Sequence, residues 1–273
     1  MSDYQDTPAP AASAYVALAS GACASTDLTR GPWHPDHQHG GPPIALAARG
    51  IERAATALGL THVARLTANL LRPVPIAELA VAVQTEYAGR NVAHLSAQVT
   101  AGGKEVVRCT AVAQREAELD IPAGLQGHPL PQAPRRVDES PPQRFPWTTK
   151  RLGYQDLVES RIAEGVMFRG PSAVWFRLRY PLVAGEETSA LQRVAVAADS
   201  GNGISAILDF RRYVFVNSDL TINLLRKAKG EWICIDARTL LGPDGGGLAE
   251  SRIFDGQGLI GRATQSLAIR LRD

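Results

Sequence analysis

Leu66-Thr67-Ala68-Asn69-Leu70-Leu71-Arg72 recurs, with one residue changed, as Leu220-Thr221-Ile222-Asn223-Leu224-Leu225-Arg226. A single short recurrence carries little weight in a chain rich in Leu and Ala, so the flanks decide whether it marks a duplication. They correspond in order. The first copy is followed by an alternating segment from Leu79 to Tyr87, a break at Gly89, a second alternating segment from Val92 to Val99, the turn Ala101-Gly102-Gly103-Lys104, and a third segment from Val106 to Ala113. The second copy is followed by Trp232 to Leu240, a Gly-rich break from Gly242 to Gly247, Leu248 to Phe254, the turn Asp255-Gly256-Gln257-Gly258, and Leu259 to Ile269. Period-two alternation marks half-buried strands, and the chain reads as one unit written twice.

The remaining sequence fits two such units. Residues 1–14 read as a disordered tail of Ala, Pro, Ser and Asp, and residues 116–149 carry seven prolines and no periodicity, as a linker would. The halves are then 15–115 and 150–273. In the first, Gly40-Gly41-Pro42-Pro43 leads into Ile44 to Gly59, with Pro near the start, apolar residues on several faces and Gly at the end, the pattern of a largely buried helix. In the second, Ala173 to Leu182 alternates as a strand, and Thr188 to Ser200 is the corresponding helix, interrupted by Gly201-Asn202-Gly203. A curved sheet wrapped around one apolar helix buries both.

Charge and composition exclude several functions. Twenty-nine basic residues against 27 acidic give a net charge of +2 with no basic run, so no nucleic-acid partner is expected. The three cysteines, Cys23, Cys109 and Cys234, are far apart and lack CxxC spacing, which fits a reducing compartment and core roles rather than a metal site. Without a leader-like start or an apolar run of about 18 residues, a soluble cytoplasmic protein with no membrane partner is expected. The Gly242–Gly247 stretch lacks the Lys-Ser or Lys-Thr of a phosphate loop and reads as a turn.

Three polar residues stand out. In Leu259 to Ile269, Gln265 shares its face with Leu259, Gly261, Ala263, Leu267 and Ile269, so its amide either completes a structural network or faces a polar pocket. Asp199 follows Val194-Ala195-Val196-Ala197-Ala198; it is either a buried carboxylate that needs partners or a solvated helix end. Thr221 shares a face with Asn223 and Leu225, opposite Leu220, Ile222 and Leu224. The repeat offers a control. Thr67 matches Thr221, but the counterpart of Gln265 falls near Ala111 or Val112 and that of Asp199 near Ala45. Scaffolding would be needed in both copies, whereas a site used once per chain explains polar residues in one.

The double repeat, His39-Gly40-Gly41, Leu71-Arg72-Pro73-Val74-Pro75, Gly89-Arg90, and the trio Asp199, Thr221 and Gln265 together resemble the TesB-like acyl-CoA thioesterases, over nearly all of both halves. The resemblance implies an α+β double hotdog, two tandem repeats each with a long central helix wrapped by an antiparallel sheet. It implies hydrolysis of fatty acyl-CoA to free acid and CoA without cofactor or metal, in a monomer or a homo-oligomer of double hotdogs. It makes Asp199 the general base or its orienter, with Thr221 and Gln265 holding the attacking water. His39, Gly40 and Gly41 would shape the substrate pocket, and Arg72, Arg90 and Arg226 could contact CoA phosphates. His34-Pro35-Asp36-His37-Gln38-His39 also has the look of a metal cluster, but prolines and glycines around it suit a loop entering the helix. Two other functions fit the fold: a non-catalytic acyl-CoA or lipid-binding module, and an enoyl-CoA hydratase. The latter wants an Asp–His pair, and no His follows His128.

Overall fold

A computed structural model describes residues 13–120, 122, 130–145 and 151–272. The first half runs β1 (Tyr15–Ala17), β2 (Cys23–Ser25), α1 (Gly41–Ala57), β3 (His62–Leu70), β4 (Glu78–Ala88), β5 (Val92–Ala101) and β6 (Lys104–Gln114). The second runs α2 (Tyr154–Leu157), β7 (Val158–Gly165), β8 (Ser172–Leu178), α3 (Ala190–Ala198), α4 (Gly201–Ile204), β9 (Tyr213–Asn217), β10 (Asp219–Leu224), β11 (Ile233–Leu241), β12 (Gly246–Asp255) and β13 (Gly258–Leu271). Both laid-down orders are the same: β4-β5-β6-β3 in one half and β11-β12-β13-β10 in the other, with β2-β1 and β8-β7 on the outer flanks. Each sheet curves around its helix, giving the double hotdog.

Alternation sets which face meets the helix. In β5, Ala93, Leu95, Ala97 and Val99 are buried, while His94 and Gln98 are exposed. Small residues dominate the first half of α1, where every residue from Gly41 to Ala48 is buried. That lets α1 lie against α3 and the sheet at once. Cys23, Cys109 and Cys234 are buried and free, as core residues.

The two halves share one continuous sheet, and the repeated heptapeptides form its seam. Strands β3 and β10 pair antiparallel with Leu66 opposite Ile222, Thr67 opposite Thr221 and Ala68 opposite Leu220. Equivalent residues facing each other are what a two-fold axis through Thr67 and Thr221 produces.

At the chain start, residues 1–12 of the expected tail lie outside the described residues; Ser13 and Ala14 are buried, and the Ala14 N–H donates to Pro181 O at 3.1 Å. In the expected linker, residues 121, 123–129 and 146–149 likewise lie outside them. The stretch 130–145 packs on the second half: Trp175 Nε1 donates to Arg135 O at 2.9 Å and the Leu259 N–H to Pro131 O at 2.9 Å. No helix among the described residues is long and apolar enough to cross a membrane.

Candidate active site

Strands β9 and β10 run end to end along β13, but not in phase. Asn217 pairs with Leu267 and Thr221 with Thr264, so four steps on one strand oppose three on the other. The extra residue is a bulge around Ser218. A one-residue slip exchanges the faces of a strand. In β10 the even positions Leu220 and Ile222 point into the core, whereas in β9 Phe215 does, and with it Asn217.

This bulge corrects one expectation. Thr221 stands on the outer face, where its hydroxyl donates to Thr67 Oγ1 at 3.2 Å. Because Thr264 pairs with Thr221, the next residue, Gln265, points to the opposite face. Thr221 therefore cannot hold a water near Asp199. Asn217 occupies that place: its Nδ2 donates to Asp199 Oδ1 at 2.9 Å.

Asp199 ends α3 and is buried. A carboxylate at the C-terminus of its own helix is unfavourably placed against the helix dipole, and its burial also disfavours charge. The start of α1 compensates. His39 Nδ1 lies 3.0 Å from Asp199 Oδ2, and we assign the imidazole proton to Nδ1, shared with that oxygen. The Gly41 N–H, 3.2 Å from the same nitrogen, then bonds the carboxylate. Burial pushes the Asp199 pKa up, but the positive side of His39 and the hydrogen bonds from His39, Asn217 and Gly41 outweigh it and hold the carboxyl below the usual range.

Two glycines make this approach possible. A Cβ on Gly40 would sit 2.8 Å from Asp199 Oδ2, and one on Gly41 would sit 2.6 Å from the Val196 carbonyl oxygen. His39 is fixed from the other side as well. Its ring lies flat on Tyr154, with centroids 3.7 Å apart and planes 5° from parallel. Tyr154, at the start of α2, donates its hydroxyl to Val196 O at 2.9 Å, is 2.8 Å from Ser200 Oγ, and is tied to the histidine loop by its N–H to Arg30 O at 2.9 Å.

Gln265 is buried on the inner face as its alternation implies, but both ends of its amide go to main chain. Oε1 accepts from the Asn202 N–H at 2.9 Å and Nε2 donates to Asp199 O at 3.2 Å. It locks the joint between α3 and α4 beneath Asp199, the structural-network alternative, and does not line the cavity.

The other end of the helix pair has its own carboxylate. Glu52 of α1 accepts from Ser189 Oγ at 2.7 and 2.8 Å and from Gln192 Nε2 at 2.9 Å at the start of α3. The sequence register pointed to Ala45 as the equivalent of Asp199; the first half supplies its acid seven residues further on. The halves thus differ in the partners of the acid rather than in having one. Burial raises the Glu52 pKa and the hydrogen bonds from Ser189 and Gln192 do not overcome it, whereas the histidine side turns the balance at Asp199.

His39, Gly40, Asp199 and Asn217 line one wall of a cavity of about 320 Å³. Aromatic rings form much of the rest. Trp33 packs on Phe210 at 5.4 Å, Phe210 on Phe168 at 5.6 Å, and Phe168 on Phe145 at 6.3 Å. The chain has only six Phe and four Trp, and composition hid that three of the Phe and one Trp line this cavity. Phe168 holds the left-handed conformation, φ 64°, rare for a non-glycine residue.

Of the arginines expected at CoA phosphates, Arg72 lines the cavity but donates Nη1 to Glu105 O at 2.6 Å. Arg90 is exposed in the β4–β5 turn and lies outside the cavity wall. Arg226 forms a two-pronged pair with the buried Asp255, at 2.5 and 2.7 Å, which commits it to the fold. Within the histidine-rich stretch only His39 meets Asp199; His34 and His37 pack on each other at 4.4 Å.

Comparison with known proteins agrees with this architecture. Two family models match, one described as an acyl-CoA thioesterase N-terminal domain over residues 29–114, the other as an acyl-CoA thioesterase C-terminal domain over residues 126–269. A crystal structure from Novosphingobium aromaticivorans, provisionally assigned as a thioesterase, superposes with a TM-score of 0.68 at 22% identity, covering 93% of this chain and 98% of that one. A conserved protein with a hotdog fold from Alicyclobacillus acidocaldarius gives 0.66 at 15% identity over 88% and 90%. An acyl-CoA thioesterase II from Mycobacterium marinum gives 0.56 at 17% over 78% and 82%. The search of curated proteins gave no match. With both domain models matched in order, the second alone spanning more than half its length, the chain belongs to the acyl-CoA thioesterase family.

Proposed function

We propose that this protein hydrolyses fatty acyl-CoA to free acid and CoA, with His39 and Asp199 activating the water. The observation that carries this reading is the His39–Asp199 pair, formed between the two halves in the wall of a cavity that Trp33, Phe145, Tyr154, Phe168 and Phe210 help line. With Nδ1–H given to Asp199, the imidazole presents Nε2 as a free lone pair, the arrangement of a base held in one tautomer by a carboxylate. Nε2 takes a proton from water as its oxygen attacks the thioester carbonyl carbon. Asp199, held by Asn217, stabilises the imidazolium that forms. The Gly40 N–H has no acceptor among the described residues and opens α1, so it supports the developing oxyanion. Collapse of the tetrahedral intermediate breaks the C–S bond, and the imidazolium returns its proton to the thiolate. The aromatic wall seats the acyl group.

Release of free thiol from a panel of acyl-CoAs tests the reading, with His39→Ala and Asp199→Ala as the decisive variants. Turnover lost in both supports it. Activity that survives both substitutions removes the site, and tight acyl-CoA binding without thiol release favours a binding module.

One observation favours a second reading. The Asp–His pair that hydration of an enoyl-CoA wants is present after all, because the histidine comes from the first half and the acid from the second. Loss of the conjugated thioester absorbance without thiol release would select it.

A further inference from the structure

Most arginines around the site are already engaged. Arg30, in the cavity wall, donates to Asp27 Oδ1 at 2.6 Å and to Leu152 O at 3.1 Å, and Arg72 is held by Glu105 O. Four others lack a carboxylate partner among the described residues, although Arg272 is tied to the cavity wall and Arg212 lies over the Tyr213 ring. Arg211 and Arg212 directly follow Phe210 of the cavity wall, Arg270 lies near the end of the neighbouring β13, and Arg272 comes just after it. All four are exposed, and among the described residues none lies within ion-pair distance of a carboxylate. Asp209, close to Arg211 and Arg212, accepts the Arg211 N–H on Oδ1 at 2.9 Å, and Asp273, next to Arg272 in the sequence, lies outside the described residues.

The four are brought together by main-chain bonds. The Arg272 N–H donates to Arg212 O at 2.9 Å, and Arg270 pairs with Val214 beside them. Arg272 joins the cluster to the cavity rim: its Nε donates to Phe210 O at 2.6 Å, and its guanidinium lies 5.9 Å over the Trp33 ring. Exposed guanidinium groups without a carboxylate partner among the described residues, clustered at a strand end that Arg272 ties to the rim of the cavity, form a phosphate-recognition surface.

We infer that Arg211, Arg212, Arg270 and Arg272 form the docking site for the phosphate-bearing end of CoA, the ligand's diphosphate and 3′-phosphate. The inference rests on the acyl-CoA reading of the cavity. It replaces Arg90 and Arg226 as the phosphate contacts.

Titration calorimetry with CoA and with pantetheine, which lacks the phosphates, tests it without relying on turnover. Arg211→Ala/Arg212→Ala should weaken CoA binding tenfold or more and leave pantetheine binding unchanged. In a thiol-release assay the same protein should show a raised KM for acyl-CoA, an unchanged KM for the acyl-pantetheine thioester, and an unchanged kcat. Arg211→Lys/Arg212→Lys should retain part of the CoA affinity and serves as the check on folding. CoA affinity equal to wild type in the double alanine variant overturns the inference, whether the patch then serves an acidic carrier protein or nothing. CoA binding that falls as expected in a protein releasing no thiol would uphold the docking site and sink the hydrolase reading instead.

Discussion

Gly40 and Gly41 are adjacent, yet the same methyl group added to each should do different damage. In Gly40→Ala the new Cβ would lie 2.8 Å from Asp199 Oδ2 and 3.1 Å from its Cγ, closer than carbon and carboxylate tolerate. The obstacle is the end of a side chain, so Asp199 gives way and the backbone does not. Moving it by a few tenths of an ångström spoils its 3.0 Å contact to His39 and its 2.9 Å contact to Asn217. Losing one charge-assisted hydrogen bond of this kind costs about 1.5 to 3 kcal/mol. If that bond orients the base in the transition state, kcat falls roughly 10- to 150-fold at 1.36 kcal/mol per decade. Stability should change little, since α1 and α3 keep their spacing and Gly40 has an ordinary helical φ of −66°. In Gly41→Ala the obstacle is the Val196 carbonyl oxygen at 2.6 Å. Only separating the two helices relieves it, at a cost of about 1 to 3 kcal/mol, or roughly 2 to 4 °C in Tm for each kcal/mol. Thiol release and thermal melts on the two variants separate the effects. Wild-type kcat in a folded Gly40→Ala protein, or a Gly41→Ala protein as stable as wild type, would refute the close-packed geometry at the start of α1.

Further outcomes follow from the same contacts. Asn217→Ala should lower kcat by tenfold or more, whereas Thr221→Val, on the outer face of the sheet, should leave kcat and KM at wild-type values; steady-state kinetics on the pair decides between the two residues. Gln265→Ala leaves the buried Asn202 N–H and Asp199 carbonyl without partners, at about 1 to 3 kcal/mol each, so urea unfolding should show a loss near the sum. Arg226→Ala strips the buried Asp255 of its partner and should cost about 3 kcal/mol at neutral pH. Burial raises the Asp255 pKa, but Arg226 and the Lys229 and Gln257 N–H groups outweigh it and hold the carboxyl below its usual range. Its stabilising effect is therefore complete above the unfolded-state value near pH 4 and lost as pH falls through the lower folded value. The Tm gap between wild type and Arg226→Ala should narrow below about pH 4; a gap that persists in acid would mean the pair is not what the variant removed.

The duplication, the strands and the central helices were readable because each rests on a period, two or 3.6, that burial enforces along the whole element. Gln265 was readable for the same reason: its face is set by six alternating positions. Thr221 misled because its role came from the resemblance alone; alternation already set it opposite Leu220, Ile222 and Leu224, the face that is buried. Asn217 was missed because a single extra residue at Ser218 exchanges inside and outside between β9 and β10, and Asn217-Ser218-Asp219, three polar residues in a row, was the only local sign of it. The Asp–His pair was harder still. It joins residues 39 and 199, from different copies, and no comparison of each copy with itself brings them together. Glu52 shows the limit from the other direction, since equal roles at the two helix starts are filled from unequal positions.

The seam strand holds one further consequence. Around the axis through Thr67 and Thr221, the pairs Leu66 with Ile222 and Ala68 with Leu220 are images of each other. In two identical, separate subunits those pairs would have to match, and any change on one side would be imposed on the other. Here one is Leu with Ile and the other Leu with Ala. Joining the copies into one chain released each position from its twin, and the single mismatch between the repeated heptapeptides records that freedom at the point where symmetry had been strictest. The same release let one helix start acquire a histidine for its acid while the other settled for a serine.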